Sequence, residues 1–190
     1  MGQQEAFSGM VNLLNGNDSI VTRQEASQPL ILTLDIETEA HNYFDDLRKA
    51  YFPPERNFID AHLTLFHALP DNPFVYDFLC IISKSQPTFS LNASGIVSIG
   101  NGTAIKIEAP ILKAFHAQLQ VKFYDLLTPQ DRQKIWPHIT VQNKVEAGQA
   151  KALQKVLSQD FVSFSFTARG LKLWRYCGGP WEFVRYFAFQ

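Results

Sequence analysis

The chain has 190 residues, of which 46% are hydrophobic and 18% charged, and this composition is typical of a folded globular protein with one sizeable core. The formal net charge of −1 argues against a protein that grips long duplex nucleic acid through many phosphate contacts, whereas a small or terminal nucleotide remains a suitable ligand. Two widely spaced cysteines, the absence of a membrane-length apolar run and the absence of a signal-peptide pattern predict a soluble cytoplasmic protein without membrane contact.

The N-terminal segment differs in composition from the rest of the chain. Residues 1–28 are rich in Gln, Asn, Ser and Gly, so we expect a flexible arm, and residues 29–190 are predicted to form a single bilobed domain. Apolar periodicity and turn residues in this domain predict, in chain order, a strand at 30–34, a helix at 38–51 with Thr38 as its N-cap, a strand at 61–67, a helix at 74–82, strands at 89–99 and 104–108, a helix at 112–126, a strand at 138–141, a helix at 150–157, and strands at 161–167, 171–176 and 181–189.

Two of these strands carry the same polar pattern inside an apolar run. The first contains His62 and Thr64, and the second contains His138 and Thr140, 76 residues later. Because side chains alternate between the two faces of a strand, each histidine should share a face with the threonine two positions on. The recurrence of one motif in one structural context indicates a duplicated fold.

A pair of imidazoles facing one cleft could divide the work of acid and base catalysis. An unperturbed histidine titrates close to neutral pH, so one ring can accept a proton while the other donates one. Neighbouring threonine hydroxyls can hold the non-bridging oxygens of a phosphoryl group without neutralising either histidine. This combination fits in-line displacement at phosphorus. On a 2′,3′-cyclic phosphate, one histidine would activate water and the other would protonate the departing ribose oxygen.

The segments 62–65 and 138–141 resemble the paired His-x-Thr/Ser-x motifs of the 2H phosphoesterases. That superfamily includes the 2′-5′ RNA ligase and cyclic nucleotide phosphodiesterase-like proteins. The element order from Pro29 onward is also similar to that of the family. The resemblance implies an α+β fold that is duplicated and two-lobed, with antiparallel sheets lining a central cleft and helices on the outside.

The resemblance also implies an enzyme that needs neither metal nor cofactor. His62 and His138 would form the acid/base pair, and Thr64 and Thr140 would bind the phosphate. The substrate would be a cyclic or 2′-5′ linked nucleotide or RNA-end phosphodiester, which the protein would hydrolyse or reseal. Residues 142–144 replace the arginine-bearing ending found in better characterised RNA-processing members, so the RNA substrate stays open.

Four aromatic or basic residues are weaker candidates for contact with the substrate. Phe66 should share the strand face of the first motif, where it could stack on a base or pack in the core. Arg175, Tyr176 and Trp181 flank a Gly-Gly-Pro turn and could reach a phosphate or a base, although cross-strand packing also explains such residues in a hairpin.

The remaining histidines are predicted to have structural or surface roles. His67 lies five positions after His62, so a regular strand would place it on the opposite face. His41 and His116 fall on predicted helices and are expected at the surface or at the rim of the site.

Two rival interpretations remain open at this stage. The first is a non-catalytic module that binds a nucleotide or RNA end in the same pocket. The second is a metallohydrolase that would use His62, His67 and a carboxylate such as Asp60.

Overall fold

The computed structural model describes residues 28–190 and shows an α+β protein, as predicted, whereas the predicted flexible arm lies outside the described residues except for Gln28. The described part contains seven strands, four α-helices and two short 3-10 turns. The strands are β1 (Leu30–Ile36), β2 (Leu63–Leu69), β3 (Phe89–Ser98), β4 (Thr103–Glu108), β5 (His138–Gln142), β6 (Phe164–Tyr176) and β7 (Trp181–Ala188), and the helices are α1 (Thr38–Tyr51), α2 (Pro73–Ser85), α3 (Pro110–Phe123) and α4 (Ala147–Asp160).

The seven strands form one antiparallel sheet in the order β2-β1-β6-β3-β4-β5, with β7 also paired to β6. Strand β6 is shared between two halves of this sheet. Its first part, Phe164–Ala168, pairs with β3. Its later part lies between β1 and β7. The two predicted lobes are therefore halves of one continuous sheet, because a single long strand belongs to both.

The predicted division of residues 161–176 into two strands is wrong. The structure joins the two segments in one strand, β6, which contains Gly170. A Cβ atom at this position would lie 2.5 Å from the carbonyl oxygen of Phe187 on the neighbouring strand β7. The glycine is therefore needed for the close approach of two backbones, and a turn is not formed here.

The two halves repeat one connection, in agreement with the predicted duplication. In the first half β1 leads through α1 to β2, and in the second β4 leads through α3 to β5. In both cases the strand after the helix pairs antiparallel with the strand before it. The two His-x-Thr segments consequently belong to the two end strands of the sheet path, and Cα atoms of β2 and β5 approach within 8 Å of each other.

The apolar sides of the helices and the sheet enclose one core. Helix α1 contributes the fully buried Phe44, and α3 contributes Phe115 and Phe123. Helix α1 begins after Glu37 and has no side-chain cap, so Thr38 is its first residue and the predicted N-cap is wrong by one position.

Strand β2 contains a bulge that changes the faces of its side chains. Thr33 of β1 pairs with Thr64, but the preceding Leu32 pairs with Phe66, so Leu65 is an extra residue on β2. A bulge interrupts the alternation of faces along a strand. Phe66 is therefore turned into the core, with no exposed surface, while His67 is turned outward. The faces predicted for Phe66 and His67 are both wrong for this reason.

Helix α3 holds this bulge through a buried histidine. The Nε2–H group of His116 donates a hydrogen bond to the carbonyl oxygen of Leu65 at 3.0 Å. The ring of His116 also stacks on Phe66, with 4.7 Å between the ring centroids. His116 is only 3% exposed, so the expectation of a surface position is wrong, although it is among the residues that line the cavity with the two His-x-Thr pairs.

We expect His116→Phe to destabilise the protein in a pH-dependent way. The variant keeps the stacked ring but leaves the Leu65 carbonyl without its donor, which should lower the free energy of unfolding by about 2 kcal/mol near pH 8. Burial lowers the pKa of His116 below its usual 6.5, so the unfolded chain binds this proton more readily than the folded one. The wild type therefore loses stability as the pH falls below about 6.5, and the variant lacks this loss.

Denaturant unfolding of both proteins between pH 8 and pH 5 checks this expectation. The difference between the free energies of unfolding of the wild type and the variant should be largest near pH 8 and should decrease toward pH 5. A gap of constant size across this range would show that His116 does not titrate as its burial requires.

Candidate functional site

Both His-x-Thr pairs line the same cavity, which has a volume of about 710 Å³. His62 and Thr64 form one side at the start of β2, and His138 and Thr140 form the other on β5. The curl of the sheet is what brings together two segments that belong to its opposite ends. The structure therefore places the four residues singled out from the sequence in one cleft.

The two imidazoles are held by equivalent hydrogen bonds. Nδ1 of His62 lies 2.7 Å from the carbonyl oxygen of Asp60, and Nδ1 of His138 lies 2.8 Å from that of Trp136. In both cases the acceptor belongs to the residue two positions before the histidine. Because a carbonyl oxygen can only accept, Nδ1 carries the proton in each ring. The Nε2 atom of each ring is therefore left for a ligand in the cavity.

Each imidazole also packs against a tryptophan that lines the cavity. The ring centroids of His62 and Trp181 are 4.7 Å apart, and those of His138 and Trp136 are 4.8 Å apart. Trp181 was a candidate from the sequence, and the structure places it in the cavity. Trp136 was missed, although its position just before the second motif could have suggested it. The indoles fix the orientation of both rings and supply flat apolar surfaces beside them.

His62 is adapted to stay neutral. Burial is the main cause that lowers its pKa to about 4, and the positive charge of Arg48 together with the neighbouring imidazoles of His67 and His138 lowers it further. The hydrogen bond to the Asp60 carbonyl opposes this shift without overcoming it. At neutral pH the Nε2 atom of His62 therefore has a free electron pair that can accept a proton.

A buried arginine connects the two sides of the cleft. Arg48 on α1 is 3% exposed, and its Nε donates to the side chain of Asn57 at 2.9 Å and to the carbonyl of Ile59 at 3.0 Å. Its Nη1 donates to the carbonyl of Thr140 at 3.0 Å. One guanidinium thus joins the segment that leads to His62 with the strand that carries the second motif.

Asp45, one turn earlier on α1, completes the support of the first motif. Its carboxylate accepts the backbone N–H of Ala61 at 2.9 Å and pairs with Lys49 at 2.6 Å. Burial alone would raise its pKa, but these donors hold the pKa below its usual value. Sequence reasoning missed both Asp45 and Arg48. The available signal was their position beside Phe44 on the buried side of the predicted helix.

Comparison with protein-family models identifies the group of proteins to which this chain is related. The model described as the 2′-5′ RNA ligase superfamily matches residues 36–180, which include both His-x-Thr pairs. The chain belongs to this superfamily. The resemblance drawn from the motifs is thereby confirmed, and the chain is a phosphoesterase or RNA ligase-like protein in the broad sense of that membership.

Solved structures support the same fold. TT0787 of Thermus thermophilus shares 16% sequence identity with a TM-score of 0.59, and the match covers 84% of this chain and 97% of that one. LigT of E. coli in complex with 3′-AMP shares 17% identity with a TM-score of 0.54, and the match covers 86% of this chain and 99% of LigT. No curated protein matches the sequence.

Phe66, Arg175 and Tyr176, three of the weaker candidates from the sequence, are not among the described residues that line the large cavity. Phe66 is fully buried, so its proposed stacking on a base is wrong. Arg175 is paired with Asp71 at 2.9 Å and with Glu182 at 3.3 Å, and Tyr176 is its exposed neighbour at the end of β6. The pair of Arg175 with Glu182 crosses the β6–β7 hairpin, as the packing alternative predicted, and the pair with Asp71 joins this hairpin to the segment before α2.

The metallohydrolase alternative is not supported, because Asp60 does not line the cavity that His62 and His67 share. His67 lines the large cavity, whereas Asp60 and His41 line a second, adjoining cavity of about 270 Å³ that shares His62. Within residues 28–190, no three or more His, Cys, Asp or Glu side chains are arranged to hold a metal ion. Across the same residues, no helix is long and apolar enough to cross a membrane.

We expect Arg48→Met to weaken both the fold and the site. Removal of the guanidinium leaves the carbonyls of Ile59 and Thr140 without their donor, which should lower the free energy of unfolding by about 3 kcal/mol. Arg56→Met is the matched control, because Arg56 is an exposed arginine beside the same segment. Thermal unfolding of the two variants checks the expectation. Equal losses in both would contradict the connecting role of Arg48.

Proposed function

We propose that this protein is a metal-independent phosphoesterase that acts on a 2′,3′-cyclic or 2′-5′ linked nucleotide or RNA-end phosphodiester. His62 and His138 are the acid/base pair, and Thr64 and Thr140 bind the phosphate. The observation that carries this proposal is the equivalent arrangement of the two imidazoles, each with Nδ1 on a backbone carbonyl and Nε2 available in one cavity.

The low pKa of His62 supports its role as the base in hydrolysis. Neutral His62 accepts a proton from water as the water oxygen bonds to phosphorus. The bond from phosphorus to one ribose oxygen then breaks, and His138, which enters this step as an imidazolium with a second proton on Nε2, donates that proton to the departing oxygen. In ligation a ribose hydroxyl takes the place of water, attacks the cyclic phosphate and gives its proton to His62, while His138 again protonates the departing oxygen. The roles reverse when a linkage is cleaved to re-form the cyclic phosphate.

The threonines suit the binding of the phosphoryl oxygens. Thr64 lies opposite Thr33 of β1, and Thr140 lies opposite Ala104 of β4, so each is fixed in a paired strand. Their hydroxyls are neutral donors, which stabilise the charge that develops on the non-bridging oxygens without changing the protonation of the imidazoles. Rigid strand positions keep these donors aligned before the substrate arrives.

The superfamily supports a nucleotide as the substrate. LigT structures are described in complex with 3′-AMP, with ATP and with NADP⁺. In this chain the indoles of Trp136 and Trp181 offer aromatic faces beside the two imidazoles, where a base or ribose could pack. A cytoplasmic location remains a prediction of the sequence.

The kinetic prediction concerns the two histidines separately. The purified protein should turn over at least one member of a panel of 2′,3′-cyclic and 2′-5′ linked substrates in excess chelator. His62→Ala and His138→Ala should each lower kcat by at least about 100-fold, because each removes one proton transfer. His41→Ala is a control histidine outside the large cavity, and it should retain turnover.

Two other results would change the assignment. Turnover that survives loss of either histidine would contradict the acid/base roles. Tight binding of a nucleoside 2′-phosphate in calorimetry, with no turnover across the panel, would favour the non-catalytic binding module instead.

A second prediction follows from the pKa of His62. Because the base must be neutral, kcat/KM should hold its plateau down to about pH 5 and fall as the pH approaches the pKa of His62 at about 4. An NMR titration of the His62 ring, identified by its absence in His62→Ala, measures the same pKa directly. A ring that titrates near pH 6.5 would contradict the effect of burial on this residue.

A further inference from the structure

A third imidazole, that of His67, is presented to the cavity by a buried carboxylate. The side chain of His67 is 55% exposed, whereas that of Asp131 is 1% exposed, and Nδ1 of His67 lies 3.1 Å from Oδ1 of Asp131. Both residues line the cavity that contains the two His-x-Thr pairs. The β2 bulge at Leu65 is what turns His67 toward this cavity.

Asp131 is held as an ionised acceptor. Its carboxylate accepts the backbone N–H groups of His67 at 2.9 Å and Ala68 at 3.0 Å, and the hydroxyl of Thr128 at 3.2 Å. Burial would raise its pKa, but the hydrogen bonds from His67 and Ala68 keep that pKa below its usual value. Because the carboxylate can only accept, Nδ1 of His67 carries a proton. The form that binds an anion is the imidazolium, whose charge is balanced by Asp131 and whose second proton, on Nε2, can be donated to a ligand.

The wall around His67 is fixed before any ligand binds. Nε2 of Gln120 on α3 donates to the carbonyls of Asp131 at 2.8 Å and Gln133 at 2.7 Å, which secures the loop that supplies Asp131. His116 on the same helix holds the β2 bulge in place through its hydrogen bond to the Leu65 carbonyl. A site whose groups are ordered in advance loses little entropy when a ligand binds.

This part of the cavity favours an anion. Among the described lining residues, Lys134 is an exposed cation, and Gln130 and Gln133 add neutral amides. Asp131 is the one acid in that set, and its oxygens are engaged by His67, Ala68 and Thr128. With His67 as an imidazolium, this wall offers N–H donors from His67, Lys134 and the two amides, and its one carboxylate is already engaged, as expected for the recognition of a phosphate.

We propose that His67 and Lys134 form a second phosphate-binding site for a phosphoryl group on O5′ of the ribose that carries the scissile phosphate. Thr64 and His67 are three residues apart on β2, a separation of at most about 10 Å. One ribose with phosphates at both ends spans such a separation, and the cavity of about 710 Å³ is larger than one phosphodiester requires. Asp131 is a positioning residue that acts through His67.

This inference rests on the proposed function, because the second phosphate is defined relative to the scissile one. The substrate class is then a 5′-phosphorylated nucleoside cyclic phosphate or an RNA end, in which O5′ carries a phosphodiester. Both kinds of substrate would place a phosphoryl group on O5′ against His67. A cyclic-phosphate mononucleotide with a 5′-phosphate and a cyclic-phosphate dinucleotide distinguish them, with the 5′-hydroxyl mononucleotide as the common reference.

Steady-state kinetics with these three substrates test the proposal. In the wild type, a 5′-phosphoryl group should lower KM by about tenfold, as a charge-assisted contact requires. In His67→Gln this preference should disappear while kcat for the reference substrate changes by less than about twofold. Lys134→Gln should reduce the preference, and Lys155→Gln, the same change on the exposed surface of α4, should preserve it.

Calorimetry separates failure of this site from failure of the proposed function. The wild type should bind adenosine 3′,5′-bisphosphate about tenfold more tightly than adenosine 3′-phosphate, and His67→Gln should bind the two equally. That result without turnover would overturn the proposed reaction and support the second phosphate site. Turnover with no preference for a 5′-phosphoryl group, in kinetics or in binding, would overturn the second site alone. A large fall in kcat for His67→Gln on the reference substrate would also overturn it.

Discussion

The hydrogen bonds of one buried guanidinium hold the two sides of the cleft in place. The two end strands of the sheet approach each other without a backbone ladder between them, so some other group must join them. Arg48 does so by donating to the carbonyls of Ile59 and Thr140. Burial is the largest cause that lowers its pKa to about 10, so it remains a cation at neutral pH, and its donors offset the cost of removing that charge from water.

The duplication extends from the backbone to the chemistry of each half. Each half ends in a strand at one end of the sheet, with an imidazole on the carbonyl two residues before it and an indole against its ring. The halves differ in what surrounds these units. Arg48 and the β2 bulge belong to the first half, and they give His62 and His138 different environments. Unequal environments on a repeated motif are what the proposed division into base and acid requires.

The sequence predicted those parts of the structure that depend on local patterns. Histidine and threonine two positions apart in an apolar run share a face, and this local rule placed His62 and Thr64 correctly. The rule failed at Phe66 and His67, because the bulge beside them depends on His116 and Asp131, which are distant in sequence. The continuity of β6 was missed for a similar reason, since the strand that approaches Gly170 comes later in the chain.

The contacts that shape the cavity also cover the ends of the sheet. The Asp131 carboxylate accepts hydrogen bonds from the N–H groups of His67 and Ala68 on β2, and Arg48 donates a hydrogen bond to the Thr140 carbonyl on β5. Unpaired groups on end strands are templates for pairing with another chain. The side chains that shape the cavity therefore also keep these backbone groups from pairing with another chain, so a substitution at Asp131 or Arg48 would alter the cavity and expose a strand end together.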